Sequence, residues 1–105
     1  MITAIVQFDL PGPMSQKQAE AAFEQAAGQF QNVEGLVRKY FLLSEDGKTA
    51  GGVYLWTRAD LAKTAHRHFS QEIKERFGAT ARVTFFHSPV IVDNKLGKIQ
   101  VGEAA

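Results

Sequence analysis

The sequence predicts one α+β domain with the element order β-α-β-β-α-β. Three observations support this order: a strand-type alternation at the start of the chain, two helical stripes of apolar residues, and an Asp-Gly turn between two apolar runs. The 105 residues match the length of a single domain. We therefore expect one core within residues 1–94. Residues 95–105 are polar and contain glycine, and we expect a tail or an arm exchanged with a partner subunit.

The first strand is predicted over Ile2–Leu10, where apolar side chains alternate with mostly polar ones. Ser15 and Gln18 form a capping box, which predicts a helix from there to about Phe30. The apolar stripe of this helix is largely alanine. Small side chains either let the helix lie close to the sheet or leave space beneath it, and the sequence leaves both alternatives open.

A hairpin is predicted next, with strands over Leu36–Ser44 and Ala50–Thr57 around an Asp-Gly turn. Its register stays open. A four-residue loop sets Arg38 opposite Leu55, whereas a five-residue loop sets it opposite Trp56, and one slip moves every side chain to the other face.

The second helix is predicted over Arg58–Phe77, with Gly78 in position to end it. The last strand is predicted over Ala81–Val92. Right-handed connections then give a four-stranded antiparallel sheet with both helices on one face, the ferredoxin-like arrangement. The other face would carry apolar side chains, one from each of three pairs, and this predicts burial in a homodimer. The pairs are Tyr40 or Phe41, Tyr54 or Val53, and Phe85 or Phe86.

Charge and composition exclude several classes of function. Twelve Lys and Arg residues against eleven Asp and Glu residues give a net charge of +1, which argues against nucleic acid or anionic membrane as a partner. The apolar runs are too short to span a bilayer. The absence of cysteine and of a signal-peptide pattern predicts a cytoplasmic protein.

Histidines are the first candidates for chemistry. His66 and His68 lie two apart on a helix and point in different directions, so we predict no metal site. His66 falls inside the apolar stripe and should face the sheet. There it would serve as a packed core histidine or as a base lining a pocket, and the first role is favoured. His87, in an apolar strand end, has the same two interpretations.

The central hairpin carries the other candidates. Arg38 and Lys39 are adjacent, and whichever faces inward needs an acceptor, for which Asp9 is a candidate partner of Arg38. Tyr40, Tyr54 and Trp56 would form a wall for a flat ligand or fill a dimer core.

Residues 35–56, GLVRKYFLLSEDGKTAGGVYLW, and 88–94, SPVIVDN, resemble the YdhR-like family of small bacterial monooxygenases, as do residues 8–12. The resemblance implies a dimeric α+β barrel, related in fold to the cofactor-independent antibiotic biosynthesis monooxygenases. It implies oxygenation of a small phenol or quinol-like aromatic compound without flavin, metal or haem. Such a reaction needs a base, an anion-binding group and an aromatic pocket. The candidate residues are His66 or His87 as the base, and Arg38, Tyr40, Tyr54, Trp56 and Phe86 for substrate binding.

Two other functions are compatible with the same pocket. One is a non-catalytic ligand-binding or stress-associated protein, which needs only shape and hydrogen bonds. The other is an isomerase or lyase that transfers a proton.

Overall fold

The computed structural model describes residues 1–102. This part of the chain contains two α-helices, a short 3-10 helix and six strands. In chain order the elements are β1 (Ile2–Asp9), α1 (Gln16–Ala27), the 3-10 helix (Gly28–Phe30), β2 (Leu36–Leu43), β3 (Thr49–Trp56), α2 (Ala59–Phe77), β4 (Arg82–His87), β5 (Val90–Asp93) and β6 (Lys98–Val101).

The main sheet has the antiparallel order β2-β3-β1-β4, and this confirms the predicted ferredoxin-like fold. Alternate residues of β1 and β3 are buried because both helices cover the same face of the sheet, which we call the helix face. The opposite side is the open face. The core lies between α2 and the centre of the helix face, and consists of Ile2, Ala4, Val6, Tyr54, Trp56 and Ala62.

Local sequence signals determine where the helices begin and end. The Ser15 hydroxyl accepts from the Gln18 amide at 3.1 Å, and the Gln18 side chain accepts from the Ser15 amide at 2.9 Å, so the predicted capping box is present. α2 ends at Gly78, whose φ of 68° is a left-handed conformation that glycine adopts without strain.

The hairpin has the four-residue loop. Leu43 pairs with Ala50 and Arg38 lies opposite Leu55, with a bulge between Leu36 and Arg38. This register turns Lys39 to the helix face and Arg38 to the open face, because successive residues of a strand point to opposite sides.

The prediction of one last strand over Ala81–Val92 is wrong. β4 ends at His87, and β5 starts at Val90 and pairs with β6 in a separate two-stranded hairpin. His87 pairs with Ile2, the first residue of β1, so β4 has reached the end of its partner strand, and Pro89 has no amide hydrogen to donate to a ladder. The predicted boundary at residue 94 falls between β5 and β6, and residues 103–105 of the predicted tail lie outside the described residues.

The open face carries the apolar side chains that the register assigns to it. From the predicted pairs these are Tyr40, Val53 and Phe86. Tyr40 is 54% exposed and Phe86 49% exposed. Within residues 1–102, no helix is long and apolar enough to cross a membrane.

Candidate functional site

A pocket of about 530 Å³ lies between the two helices and the helix face of the sheet. Ala22 and Ala26 of α1 form part of its wall, so the alanine stripe leaves space beneath the helix and does not close onto the sheet. Aromatic residues line much of the remainder, and Glu72 and Arg76 of α2 supply charged groups. The aromatic lining residues are Phe8, Phe23, Phe30, Phe41, Tyr54, Phe69 and Phe77.

Lys39 brings a cation into this aromatic environment. Its Nζ lies 3.5 Å from the ring centroid of Phe30, 3.8 Å from that of Phe41 and 4.7 Å from that of Tyr54. These are cation–π distances. Among residues 1–102 no carboxylate forms an ion pair with it. Burial lowers the pKa of Lys39 to about 7, although the nearby Glu72 carboxylate acts in the opposite direction.

Gly52 leaves the room that the lysine side chain needs. A Cβ at this position would lie 3.2 Å from Lys39 Cε and 3.0 Å from Tyr54 Cε1. Gly52 is the cross-strand neighbour of Phe41 on β2 and of Val6 on β1. The missing side chain therefore allows Lys39 to lie along the floor of the pocket.

Tyr54 is a second polar group in the pocket. The residue is buried, and its hydroxyl forms no hydrogen bond with another group of residues 1–102. Burial and the Glu72 carboxylate raise the pKa of Tyr54 above its ordinary value, so its hydroxyl stays protonated and can donate to a ligand.

His66 and Trp56 form a buried pair behind Tyr54. The Trp56 indole N–H donates to His66 Nε2 at 3.1 Å, so the proton of the neutral imidazole is on Nδ1. His66 Nδ1 is buried and has no hydrogen-bond partner among residues 1–102. Burial lowers the pKa of His66 to about 4, with a smaller contribution from Lys39. The imidazole is therefore neutral at pH 7, and its Nε2 lone pair is already occupied.

The structure separates the predicted site residues into three groups. Tyr54 lines the pocket, and the His66–Trp56 pair packs behind it with a Tyr54–His66 centroid distance of 4.4 Å. Neither His66 nor Trp56 lines the pocket. The other predicted residues do not reach it either. His87 is exposed at the end of β4, and Arg38, Tyr40 and Phe86 lie on the open face.

The expected pairing of Arg38 with Asp9 is wrong. Arg38 lies 3.9 Å from Asp93 and donates to the Tyr40 hydroxyl at 3.4 Å, while Asp9 lies 3.5 Å from Arg82. The reason is the register, which directs Arg38 toward the β5–β6 hairpin. A second, more open groove lies there, between the open face and that hairpin.

Sequence reasoning missed Lys39, Glu72 and the phenylalanines as site residues. A signal for Lys39 was present, because the adjacent cations of β2 must face opposite sides and one of them had to enter the interior. Phe30 and Phe41 had no comparable signal, because they are far apart in sequence and meet only across the helix–sheet interface. Their rings stand edge to face at 5.7 Å.

Metal ligands are not grouped in the described part of the chain. Within residues 1–102, no three His, Cys, Asp or Glu side chains are close enough to share a metal ion.

Comparisons with known proteins relate this geometry to a family. Monooxygenase ActVA-Orf6 of Streptomyces coelicolor, solved with the ligand Nanaomycin D, is 17% identical with a TM-score of 0.60, over 83% of this chain and 86% of that one. A variant of SnoaB, a cofactor-independent oxygenase from Streptomyces nogalater, is 20% identical with a TM-score of 0.59, over 83% and 91%. At such identities these structures show a shared fold. No curated protein sequence matches the chain. Residues 4–101 match the family described as "Putative mono-oxygenase ydhR", and the chain belongs to that family.

Proposed function

We propose that this protein is a monooxygenase that oxidises a small phenol or quinol-like aromatic compound with dioxygen and without a cofactor. The reaction takes place in the pocket between the helices and the sheet. The observation that carries the proposal is the pocket itself, which combines aromatic walls with a lysine amine and a tyrosine hydroxyl. Its volume of about 530 Å³ lies within the range of small-molecule sites.

An aromatic substrate matches the pocket in shape and chemistry. A flat ring stacks or packs edge to face against Phe30, Phe41 and Phe69, which is the arrangement that these rings already adopt with their neighbours. The substrate hydroxyl then meets Lys39 Nζ or the Tyr54 hydroxyl. Family membership agrees with this reaction class, and the structural relatives named above are a monooxygenase and a cofactor-independent oxygenase.

The chemistry requires no external reductant. A phenol that loses its hydroxyl proton becomes an electron-rich anion that can reduce dioxygen. Dioxygen adds at a ring carbon bearing hydrogen, and the hydroperoxide then loses water to leave a carbonyl. One oxygen atom enters the quinone product and the other leaves as water, which also carries away the two substrate hydrogens. An apolar pocket that excludes bulk water protects the anion and the peroxide.

The predicted residues take different roles in this reaction. Tyr54 keeps its predicted contact with the ring. His66 does not act as the base, because its pKa is about 4 and Nε2 accepts from Trp56; the pair instead supports Tyr54 from behind.

Oxygen uptake with simple phenols, naphthols and hydroquinones tests the proposal. We expect uptake that depends on substrate, and incorporation of one ¹⁸O atom from labelled dioxygen into the product. A proton-transfer isomerase is the second candidate, since a lysine with a pKa of about 7 can also move protons. Conversion of substrate under argon identifies an isomerase, and binding without conversion identifies a non-catalytic binder. Either result contradicts the monooxygenase.

A pocket-filling variant locates the reaction. Ala26→Phe places a ring in the pocket, whereas Ala21→Phe places the same ring on the exposed side of α1. We expect Ala26→Phe to weaken phenol binding by at least about tenfold and Ala21→Phe to leave it unchanged. Equal effects of the two variants would place the site elsewhere.

The open face supports the expected homodimer. Tyr40 and Phe86 are exposed there, and the adjacent β5–β6 hairpin exposes Val92, Ile99 and Val101. Exposed apolar side chains grouped on one face are typical of a surface that packs against another subunit. We expect a dimer in sedimentation velocity and a shift to monomer in Tyr40→Glu. A wild-type monomer at high concentration would contradict this.

A further inference from the structure

Lys39 is the most unusual charged residue of the protein. Its amine is held by the rings of Phe30, Phe41 and Tyr54 in the cavity, without a carboxylate partner among residues 1–102. A lysine that serves only stability would be expected to extend to solvent, as its long stem allows. Instead the amine lies among aromatic rings at the wall of the pocket, where a bound ligand can reach it.

The surroundings of the amine favour the neutral form more than water does. Three aromatic rings interact with an ammonium ion weakly compared with the hydration that it loses. Lys39 consequently has a pKa of about 7, so that both protonation states are populated near neutral pH. A group in that condition can accept a proton and can also hold the resulting charge.

We propose that Lys39 is the base of this site, which takes the hydroxyl proton from a phenolic ligand and then holds the phenolate as an ammonium–phenolate pair. The inference rests on the proposed function and names the residue and substrate chemistry that it requires. In the step, the ligand O–H bond breaks and an N–H bond forms at Nζ. No electron is transferred until dioxygen reacts with the phenolate.

The other ionisable groups around the pocket lie on α2 and β3. From α2, Glu72 and Arg76 line the pocket and His66 lies behind Tyr54; β3 contributes Tyr54. The polar lining residues of α1 are the neutral Gln25 and Gln29. Arg76 is always protonated and Tyr54 is a weaker acid than usual, so neither can serve as the base near pH 7.

The pairing also restricts the substrate class. Proton transfer from an ordinary phenol to an amine with a pKa of about 7 is uphill, and attraction between the new charges at low dielectric compensates for part of the cost. A hydroxyl acidified by a second fused ring or a conjugated carbonyl reduces that cost further. We therefore expect naphthol-type and hydroxyquinone-type ligands to bind more tightly than phenol.

The test uses 2-naphthol at pH 8. This compound is neutral in solution at that pH, and its ionised form absorbs light at a longer wavelength. Wild-type protein is expected to bind it as naphtholate without releasing a proton, because Lys39 keeps the proton. Proton release is measured by calorimetry in buffers of different ionisation enthalpy. Lys39→Arg should bind naphtholate and release one proton, since arginine is already charged. Lys39→Met should bind only neutral naphthol.

The matched control is Lys63→Met, which removes an exposed lysine of α2 and should behave as wild type. In substrate turnover, kcat/KM of the wild type should rise with pH through about 7. Lys39→Met should lose that rise together with about 10²–10⁴-fold in rate.

Two results would overturn the inference and leave the proposed monooxygenase intact, provided that the wild type takes up oxygen. In the first, the wild type binds naphthol in its neutral form. In the second, it binds naphtholate and releases one proton. Absence of both binding and oxygen uptake for every phenol overturns the inference and the proposed function together.

Discussion

Arg38 and Lys39 are neighbours on β2, yet the two faces of the sheet give their cations opposite environments. Arg38, on the open face, has a side chain that is 47% exposed, and its hydrogen bond with Tyr40 raises its pKa. Lys39, on the helix face, is surrounded by rings, and burial lowers its pKa to about 7. The chemistry of the two residues is thus decided by the face to which the strand turns them, since water solvates one charge and is largely excluded from the other.

The largest difference between the faces should appear in stability. Trp56 is fully buried on the helix face at 0% exposure, whereas Tyr40 is largely exposed on the open face. Trp56→Ala should lower the free energy of unfolding by about 3–5 kcal/mol, because it leaves a cavity and deprives His66 of its hydrogen bond. Tyr40→Ala should change it by less than about 0.5 kcal/mol in dilute protein. Urea titrations of both variants measure the free energy of unfolding, and an equal decrease in the two variants would contradict the comparison.

An intermediate effect should come from the pH dependence of stability. His66 has a pKa of about 4 in the folded protein against its ordinary 6.5. Above pH 6.5 the imidazole is neutral in both the folded and the unfolded state, so its titration does not lower the free energy of unfolding. Between pH 6.5 and about 4 only the unfolded state takes up the proton, so the folded state should lose up to about 3 kcal/mol.

His66→Gln provides the control for this effect. Its amide oxygen can still accept from the Trp56 indole N–H, while the titrating group is removed. The free energy of unfolding of this variant should therefore depend less on pH between pH 7 and 4. An unchanged dependence of the free energy of unfolding on pH would assign the effect to other groups.

The smallest effect concerns the two cations directly. Lys39→Met removes a poorly solvated ammonium, and should raise the free energy of unfolding by about 1–2 kcal/mol at pH 6 while lowering the rate of turnover by about 10²–10⁴-fold. The gain should fade as the pH rises from about 7 to the ordinary 10.5, because the free energy needed to deprotonate the wild-type amine on folding falls to zero over this range. In dilute protein, Arg38→Met should change the free energy of unfolding by less than about 0.5 kcal/mol at every pH, because its exposed ion pair with Asp93 contributes little. Destabilisation by Lys39→Met would mean that the ring contacts outweigh the lost hydration.

Most of the fold could be predicted from the sequence, since its signals are local. The Ser15–Gln18 capping box, Gly78 at the end of α2 and the period of the apolar stripes each depend on residues close together in the chain. The position of His66 inside a stripe also predicted its burial, which the structure confirms at 3% exposure. The break in the last strand was missed although Pro89 marked it, because the apolar run continues on both sides of the proline.

The candidate site was decided by the tertiary structure. Sequence determined that Arg38 and Lys39 face opposite sides, but the loop length and the bulge before Arg38 chose which one enters the interior. Sequence also determined that α1 presents alanines to the sheet, but only the packing of the helices over the sheet left a pocket beneath them. Register and layer spacing depend on contacts summed over the whole domain. For that reason the base that we propose was visible in the sequence only as one of two adjacent cations.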